Sequence, residues 1–416
     1  MVLTERYTKS RIIPILIFLF PVAGVEVRHW FSGIAAILVL VGIYLIISNS
    51  IRMKNPFFDY SRDEKTLSFL VAALFLSYLV SGFVNGWNDK QLSYFAGELN
   101  FLFFIPLYFV IKRYNNAPEL IIKGTIVAGI IIVSAYIYDI HIVKDSRVTG
   151  VYGHLFSGPV AVIFLFISAS SYKYFSNDKY WKSLILASVG LSFFTAIASK
   201  SGTAYSLMFL MCMIAPLVVT RKFRNIFLTY FALLLILIIS FTFNSNVKKG
   251  VLRVTDSAEL FLSIDNLTEH QGVLGTSGDR MAMWISSWTV FKDNMIFGIG
   301  RGNYNKSMID YAEKGLVRNE MINYSHPHSI YFELILSKGL LGLSIFILLI
   351  AIIFKVYILA WKNNVIFSEA ALLHVLAILL VGIGSEGPVL KNNFISIFLI
   401  YIAVFFSFFN SKVHRK

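Results

Sequence analysis

Residues 325–361 read SHPHSIYFELILSKGLLGLSIFILLIAIIFKVYILAW. From Gly339 onward Lys355 is the single charged residue in an otherwise apolar run. A helix needs about 20 mostly apolar residues to cross a hydrocarbon core of about 30 Å, so the run predicts a membrane-spanning helix over 338–361. The start of the stretch is different in kind. His326 and His328 flank Pro327 where the chain is about to enter lipid.

The rest of the chain repeats the apolar pattern. Of 416 residues, 57% are hydrophobic and 14% charged, where soluble domains hold about 45–50% apolar and about 25% charged residues. The spans expected on length and apolarity number twelve: 12–26, 30–49, 66–85, 96–111, 119–139, 154–172, 182–199, 203–220, 225–243, 338–361, 366–385 and 393–410. The first contains Pro14 and Pro21 and also reads as a kinked or re-entrant piece. The expected fold is all-α and integral to a membrane, a single polytopic domain over 1–416.

Charge orients the chain. With both ends inside, the short inner segments hold 19 Lys and Arg against 6 in the short outer loops. That asymmetry is the positive-inside rule and predicts cytoplasmic termini. It also accounts for the formal charge of +14 without invoking nucleic acid. The lone Cys212 excludes a disulfide framework, and no Cys/His cluster suggests zinc. No small-residue cleavage site follows MVLTERYTKSR, so no removed signal peptide is expected.

Residues 244–328 form one large outer loop between expected helices 9 and 10. Loops of this size are usually functional. In GDRMAMWISSWTVFKDN, Asp279 is placed to cap a helix, and Met281, Trp284, Trp288 and Phe291 recur at helical spacing. The two tryptophans suit a helix lying at the membrane interface. GIGRGNY, 298–304, then makes a glycine-rich turn.

The candidate chemistry gathers on this outer side. Pro327 favours an extended His326, and His328 falls near the start of the helix running through Leu336. A helix start carries free N–H groups and positive potential, which favours a proton-accepting imidazole and attracts anions. Arg280 offers a fork of donors suited to phosphate oxygens. Arg301 lies between Gly300 and Gly302, where backbone can approach a ligand, although the pattern reads more readily as a plain turn. Lys200, in SKSG, and Arg147, ahead of His154, add cations on the same side. Each of these has a plainer reading: interfacial histidines, a solvated loop arginine, and cations snorkelling to headgroups. Glu26, Glu98, Glu369 and Glu386 fall near expected span ends and are less telling. There is no D-x-D, no G-x-x-x-x-G-K-[ST] and no G-x-S-x-G, which removes support for metal-diphosphate sugar enzymes, P-loop ATPases and elbow-type serine hydrolases.

Taken together, these residues resemble those of the O-antigen ligase and polymerase superfamily. His328, Ser329, nine residues, then Gly339-Leu340-Leu341-Gly342 follows its H-[NSQ]-x9-G-x-x-G pattern in full. GDRMAMW resembles its arginine-bearing loop helix, GIGRGNY its glycine turn, and RVTG at 147–150 another arginine-glycine element. The chain departs from the pattern after the seventh span. Ser201 stands where the family usually has Arg, with Lys200 one residue earlier.

The resemblance is greatest to the lipopolysaccharide O-antigen ligase: one dominant outer loop favours it over the polymerase, and a sequence that stops at HRK directly after the last expected span speaks against protein-glycosylating relatives, which usually carry an extra domain there. It implies a glycosyltransferase acting on the periplasmic face of a bacterial inner membrane. The donor would be undecaprenyl-pyrophosphate-linked O-antigen and the acceptor lipid A–core. His328 and Arg280 would be catalytic, with Lys200, Arg147, Arg301 and His326 binding substrate, and no metal or cofactor is expected. The alternatives are an O-antigen polymerase of the same superfamily, a lipid-linked sugar flippase and a membrane scaffold.

Overall fold

The structure, a computed structural model, describes residues 11–24, 27, 29–51, 60–143, 153–220, 224, 230, 275–385 and 392–413. Every regular element among them is helical. Before the long connection come α1 (Ile12–Gly24), α2 (Trp30–Ile51), α3 (Arg62–Asn85), α4 (Asp89–Ile111), α5 (Ala117–Ile131), α6 (His154–Ser171), α7 (Lys179–Ala198) and α8 (Gly202–Val219). A short helix, Val133–Ile137, and a π-helical turn, Tyr138–Val143, prolong α5. After the connection come α9 (Gly275–Asp293), α10 (Tyr304–Glu313), a 3₁₀ turn (Asn319–Asn323), α11 (Ile330–Lys362), α12 (Ser368–Val381) and α13 (Asn392–Val413).

Nine helices among the described residues are long and apolar enough to cross a membrane. The protein is therefore an all-α, multi-pass membrane protein. Helices α1 and α12 stand where spans were expected but have only 13 and 14 residues. At 1.5 Å per residue each covers about 20 Å, short of a core of about 30 Å. The expected span 225–243 lies outside the described residues apart from Tyr230.

Polar caps lengthen two helices beyond their apolar runs. Ser61 and Glu64 form a reciprocal capping box that starts α3 at Arg62. The Asn88 side chain accepts from the Gln91 N–H and starts α4 at Asp89, seven residues before the expected span. Small residues let the helices approach closely; a β-carbon on Gly42 of α2 would lie 2.1 Å from the Pro106 carbonyl oxygen of α4. Helix α13 is almost wholly buried and touches α2, α3, α4, α5, α11 and α12, so it forms the centre of the bundle.

Buried carboxylates take part-exposed lysine partners at one end of the bundle. Asp63 pairs with Lys355 at 2.7 Å, Glu64 with Lys112 at 2.8 Å, and Glu369 with Lys173. At the other end, where α3 finishes and α4 begins, the chain after α9 enters the bundle. This entry goes with a break in α11 at Gly339, whose φ of 64° and ψ of −161° are not helical. The Leu340 and Leu341 N–H groups beyond the break donate to the Met295 and Ile296 carbonyls at 2.8 and 3.2 Å. The Leu336 carbonyl before it accepts from the Ile299 N–H at 2.6 Å. The Ser81 hydroxyl lies 2.7 Å from both the Phe297 and Ser337 carbonyls. Irregular backbone at membrane depth persists only where protein satisfies it, and here the segment 295–299 and the break satisfy each other.

Two glycines explain part of the motif in physical terms. A β-carbon at Gly339 would lie 2.2 Å from the Ile296 carbonyl oxygen, so residue 339 needs both the positive φ and the missing side chain. A β-carbon at Gly342 would lie 2.3 Å from Lys338 Cβ, so that glycine makes room for the lysine.

Candidate functional site

Ser329 caps α11 in an extended conformation, and His328 precedes it with a left-handed φ of 52°. A non-glycine residue held there carries local strain of about 1–3 kcal/mol. The His326 and His328 rings meet edge to face, with centroids 4.2 Å apart. Pro327 is buried between them, and its carbonyl accepts from Trp284 Nε1 at 3.0 Å. Trp284 also stacks on Phe332 in the first turn of α11, with centroids 5.7 Å apart and planes at 12°. One tryptophan thus holds both the His-Pro-His corner and the helix that follows it.

Trp284 lies one turn beyond Arg280 on the same face of α9, because residues four apart neighbour each other on a helix. Arg280 reaches the turn that ends α12: a β-carbon on Gly384 would lie 3.2 Å from its Nη1. Two residues earlier, the Gly382 carbonyl accepts from the Ile330 N–H at 2.9 Å and the Ser329 hydroxyl at 3.4 Å. The turn 382–384 therefore touches Arg280 on one side and the residues next to His328 on the other.

The loop helix departs from expectation in two respects. It starts at Gly275, so Asp279 lies inside it and does not cap it. The Asp279 carboxylate instead acts on Tyr324, whose hydroxyl is pushed above its ordinary pKa by burial and by that charge. The face packed against the protein runs through Ala282, Met283, Ser286, Ser287, Val290 and Phe291. Met281 and Trp284 are half-buried, and Trp288 is 50% exposed. The apolar stripe was displaced because the tryptophans, its largest members, sit at the edge of the contact.

Lys200 is exposed, with φ 50°, in the turn between α7 and α8. Its neighbour Ser201 is buried and caps α8, its side chain accepting from the Ala204 N–H. Arg147 lies outside the described residues, as do Glu26 and Glu386, and of His154 only the backbone is described. Among the described residues no group of three His, Cys, Asp or Glu side chains is placed to hold a metal ion.

Arg301 is not brought to this corner. It is 1% exposed, and its Nη1 lies 2.7 Å from Glu98 Oε1. The other oxygen of Glu98, itself 0% exposed, lies 2.7 Å from Lys338 Nζ, also 1% exposed. The guanidinium covers the Tyr94 ring at 4.4 Å. Sequence reasoning missed this cluster for a definite reason. Spans drawn at 96–111 and 338–361 put Glu98 and Lys338 at helix ends, whereas α4 and α11 begin at Asp89 and Ile330 and carry both charges inside. An ionisable residue well inside an apolar helix almost always has a partner, and that rule applied to the longer helices would have found the pair.

The fold and the site define a polytopic membrane protein with a polar corner at one end of its bundle. Residues 187–347 match the family model described as O-antigen ligase. That stretch of the chain is similar to the O-antigen ligase family, and it holds Lys200, Arg280, Arg301, His326 and His328. No curated protein matches the chain.

Proposed function

We propose that the protein transfers an undecaprenyl-pyrophosphate-linked O-antigen polysaccharide to lipid A–core at the periplasmic face of a bacterial inner membrane. The observation that carries this reading is the turn 382–384, against which the Arg280 guanidinium and the start of the His328 helix both lie. The reading includes twelve spans, cytoplasmic termini and 244–328 as a large periplasmic loop. The end of the bundle holding His328 then faces the periplasm.

In this reading the acceptor hydroxyl attacks the anomeric carbon from the face opposite the pyrophosphate. A new C–O bond forms, the bond to the phosphate oxygen breaks, and the pyrophosphate leaves with the electron pair. His328 takes the hydroxyl proton, with His326 packed against its ring. Arg280, with Lys200 and Arg147, balances the negative charge growing on the leaving group. A single displacement inverts the anomeric configuration. Cations supply the charge balance, so no metal is required. Arg301, enclosed with Glu98, supports the site from within the protein.

The break in α11 bears on the flippase alternative. Transporters use broken helices to present helix ends to a ligand near the bilayer midplane. Here the carbonyls of Met295 and Ile296 take the freed N–H groups.

Reconstituted protein given lipid-linked glycan and lipid A–core is the test. The expected result is a covalent glycan–core product that still forms in excess EDTA. Movement of intact lipid without product overturns the reading in favour of a flippase, and a strict divalent-ion requirement overturns the metal-free mechanism. In a deletion strain, loss of all attached O-antigen with accumulation of lipid-linked polymer indicates the ligase. A core bearing one repeat unit indicates the polymerase.

A further inference from the structure

The Glu98 cluster joins three parts of the chain that are far apart in sequence. Glu98 belongs to α4 and lies outside the matched stretch 187–347. Arg301 belongs to the glycine turn, where Gly298, Gly300 and Gly302 all have positive φ. Lys338 is the last residue of α11 before the break. Nine residues into α4, Glu98 sits about 14 Å below the start of that helix at 1.5 Å per residue. The cluster is thus buried within the bundle, in a surrounding where charges interact strongly and their desolvation is costly.

A buried carboxylate between two cations on separate elements acts as a clamp. One oxygen holds the glycine turn through Arg301, and the other holds the first half of α11 through Lys338. Those are the two parts that dock at the Gly339 break. From Lys338 back to Ile330 the half-helix is continuous, and its N-cap adjoins His328. We propose that Glu98 is a positioning residue for His328: by clamping the glycine turn into the break, it fixes the direction of the half-helix that begins beside the imidazole. This inference rests on the proposed role of His328, while its clamping step stands independently of that role.

The clamp has neighbours that assist it from the same side. Asn85 Nδ2 donates to the Gly298 carbonyl at 3.0 Å, and Asn88 Nδ2 donates to Asn303 Oδ1 at 2.7 Å. These bonds also hold the turn, but neither reaches Lys338. Glu98 alone among these three links the turn to the half-helix through charge.

The test uses two readouts on the full-length, reconstituted protein. In a Cys212→Ser background, Ile299→Cys places a thiol at a position 8% exposed in the turn, and a water-soluble maleimide reports whether the turn has left the break. The second readout separates kcat from KM for glycan transfer. Glu98→Gln is expected to raise labelling at least tenfold and to lower kcat about 10- to 100-fold, as a misplaced catalytic group would, with KM for the lipid-linked donor nearly unchanged. Glu98→Asp keeps the charge and serves if Glu98→Gln fails to accumulate; it is expected to lie between wild type and Glu98→Gln in both readouts.

Unchanged labelling in both Glu98 variants overturns the clamp. Faster labelling with unchanged kcat overturns the positioning of His328. Normal transfer by His328→Ala instead removes the proposed mechanism, and the labelling result still decides the clamp.

Discussion

Arg280 and Arg301 lie on the same connecting segment, each beside glycine-rich sequence, and their surroundings differ in kind. Arg301 is enclosed, paired with Glu98 and laid over Tyr94. Arg280 is half-buried and reaches the turn at Gly384, next to the start of the His328 helix. The difference shows that an arginine in a loop of a membrane protein has two possible uses. One guanidinium ties irregular backbone into the bundle, where breaking a buried pair costs about 3–5 kcal/mol. In the proposed reading the other meets the pyrophosphate of the donor.

The largest test of this contrast is His328→Ala. If the Arg280 corner is the reacting one, transfer falls by about 10²- to 10⁴-fold, the usual worth of a general base, while the amount of folded protein is unchanged. Reconstituted transfer assays and quantitative blotting measure the two quantities, and near-normal transfer places the chemistry elsewhere. Arg280→Lys asks whether the corner needs the fork or only the charge. A loss of about tenfold or more in kcat, of the order of one charged donor in a transition state, is expected, with unfolding temperature preserved; unchanged kcat means that simple charge suffices.

Gly339→Ala addresses the other side of the contrast. The added β-carbon meets the Ile296 carbonyl at 2.2 Å and the residue must hold a φ of 64°, so strain of about 1–3 kcal/mol or more is expected. Thermal unfolding should show it as a clear fall in midpoint, and an unshifted midpoint would mean that the break is not under this constraint. Trp284→Phe keeps the stack on Phe332 but removes the bond to the Pro327 carbonyl. A stability loss of about 1 kcal/mol with a small drop in kcat is expected, and no change in either would detach Trp284 from the corner.

The smallest effect concerns the segment carrying both arginines. Tyr311 of α10 donates to Asp293 at 2.6 Å, and burial together with that carboxylate pushes its hydroxyl from 10.0 up to about 12. Because the folded value is raised, the stability it adds is full below pH 10 and is lost as pH climbs toward 12. A pH series of unfolding midpoints should show a slightly steeper alkaline fall in wild type than in Tyr311→Phe, and identical curves would exclude the coupling.

Much of this architecture follows from composition and periodicity. Apolar runs place helices at the expected positions within the described residues, because a segment in lipid must satisfy its backbone internally. His328, Ser329, Gly339 and Gly342 are visible as a spaced pattern, and Arg280 is visible beside them. Helix starts were less legible where Ser61 and Asn88 cap polar turns ahead of the apolar run. The stripe on α9 was displaced because residue size does not say which side of a helix finds a partner.

Amino-acid sequence alone therefore determined that the chain crosses a membrane many times as helices, and that histidine, arginine and glycine gather in one long connection. Only the tertiary structure decided that α11 is broken and filled by residues 295–299, that Glu98 holds Arg301 and Lys338, and that Arg280 is the arginine left beside the His328 corner. The reason is physical: hydropathy and helical period are local properties, whereas the partner of a buried charge and the acceptor for a freed N–H are supplied by chain far away in sequence.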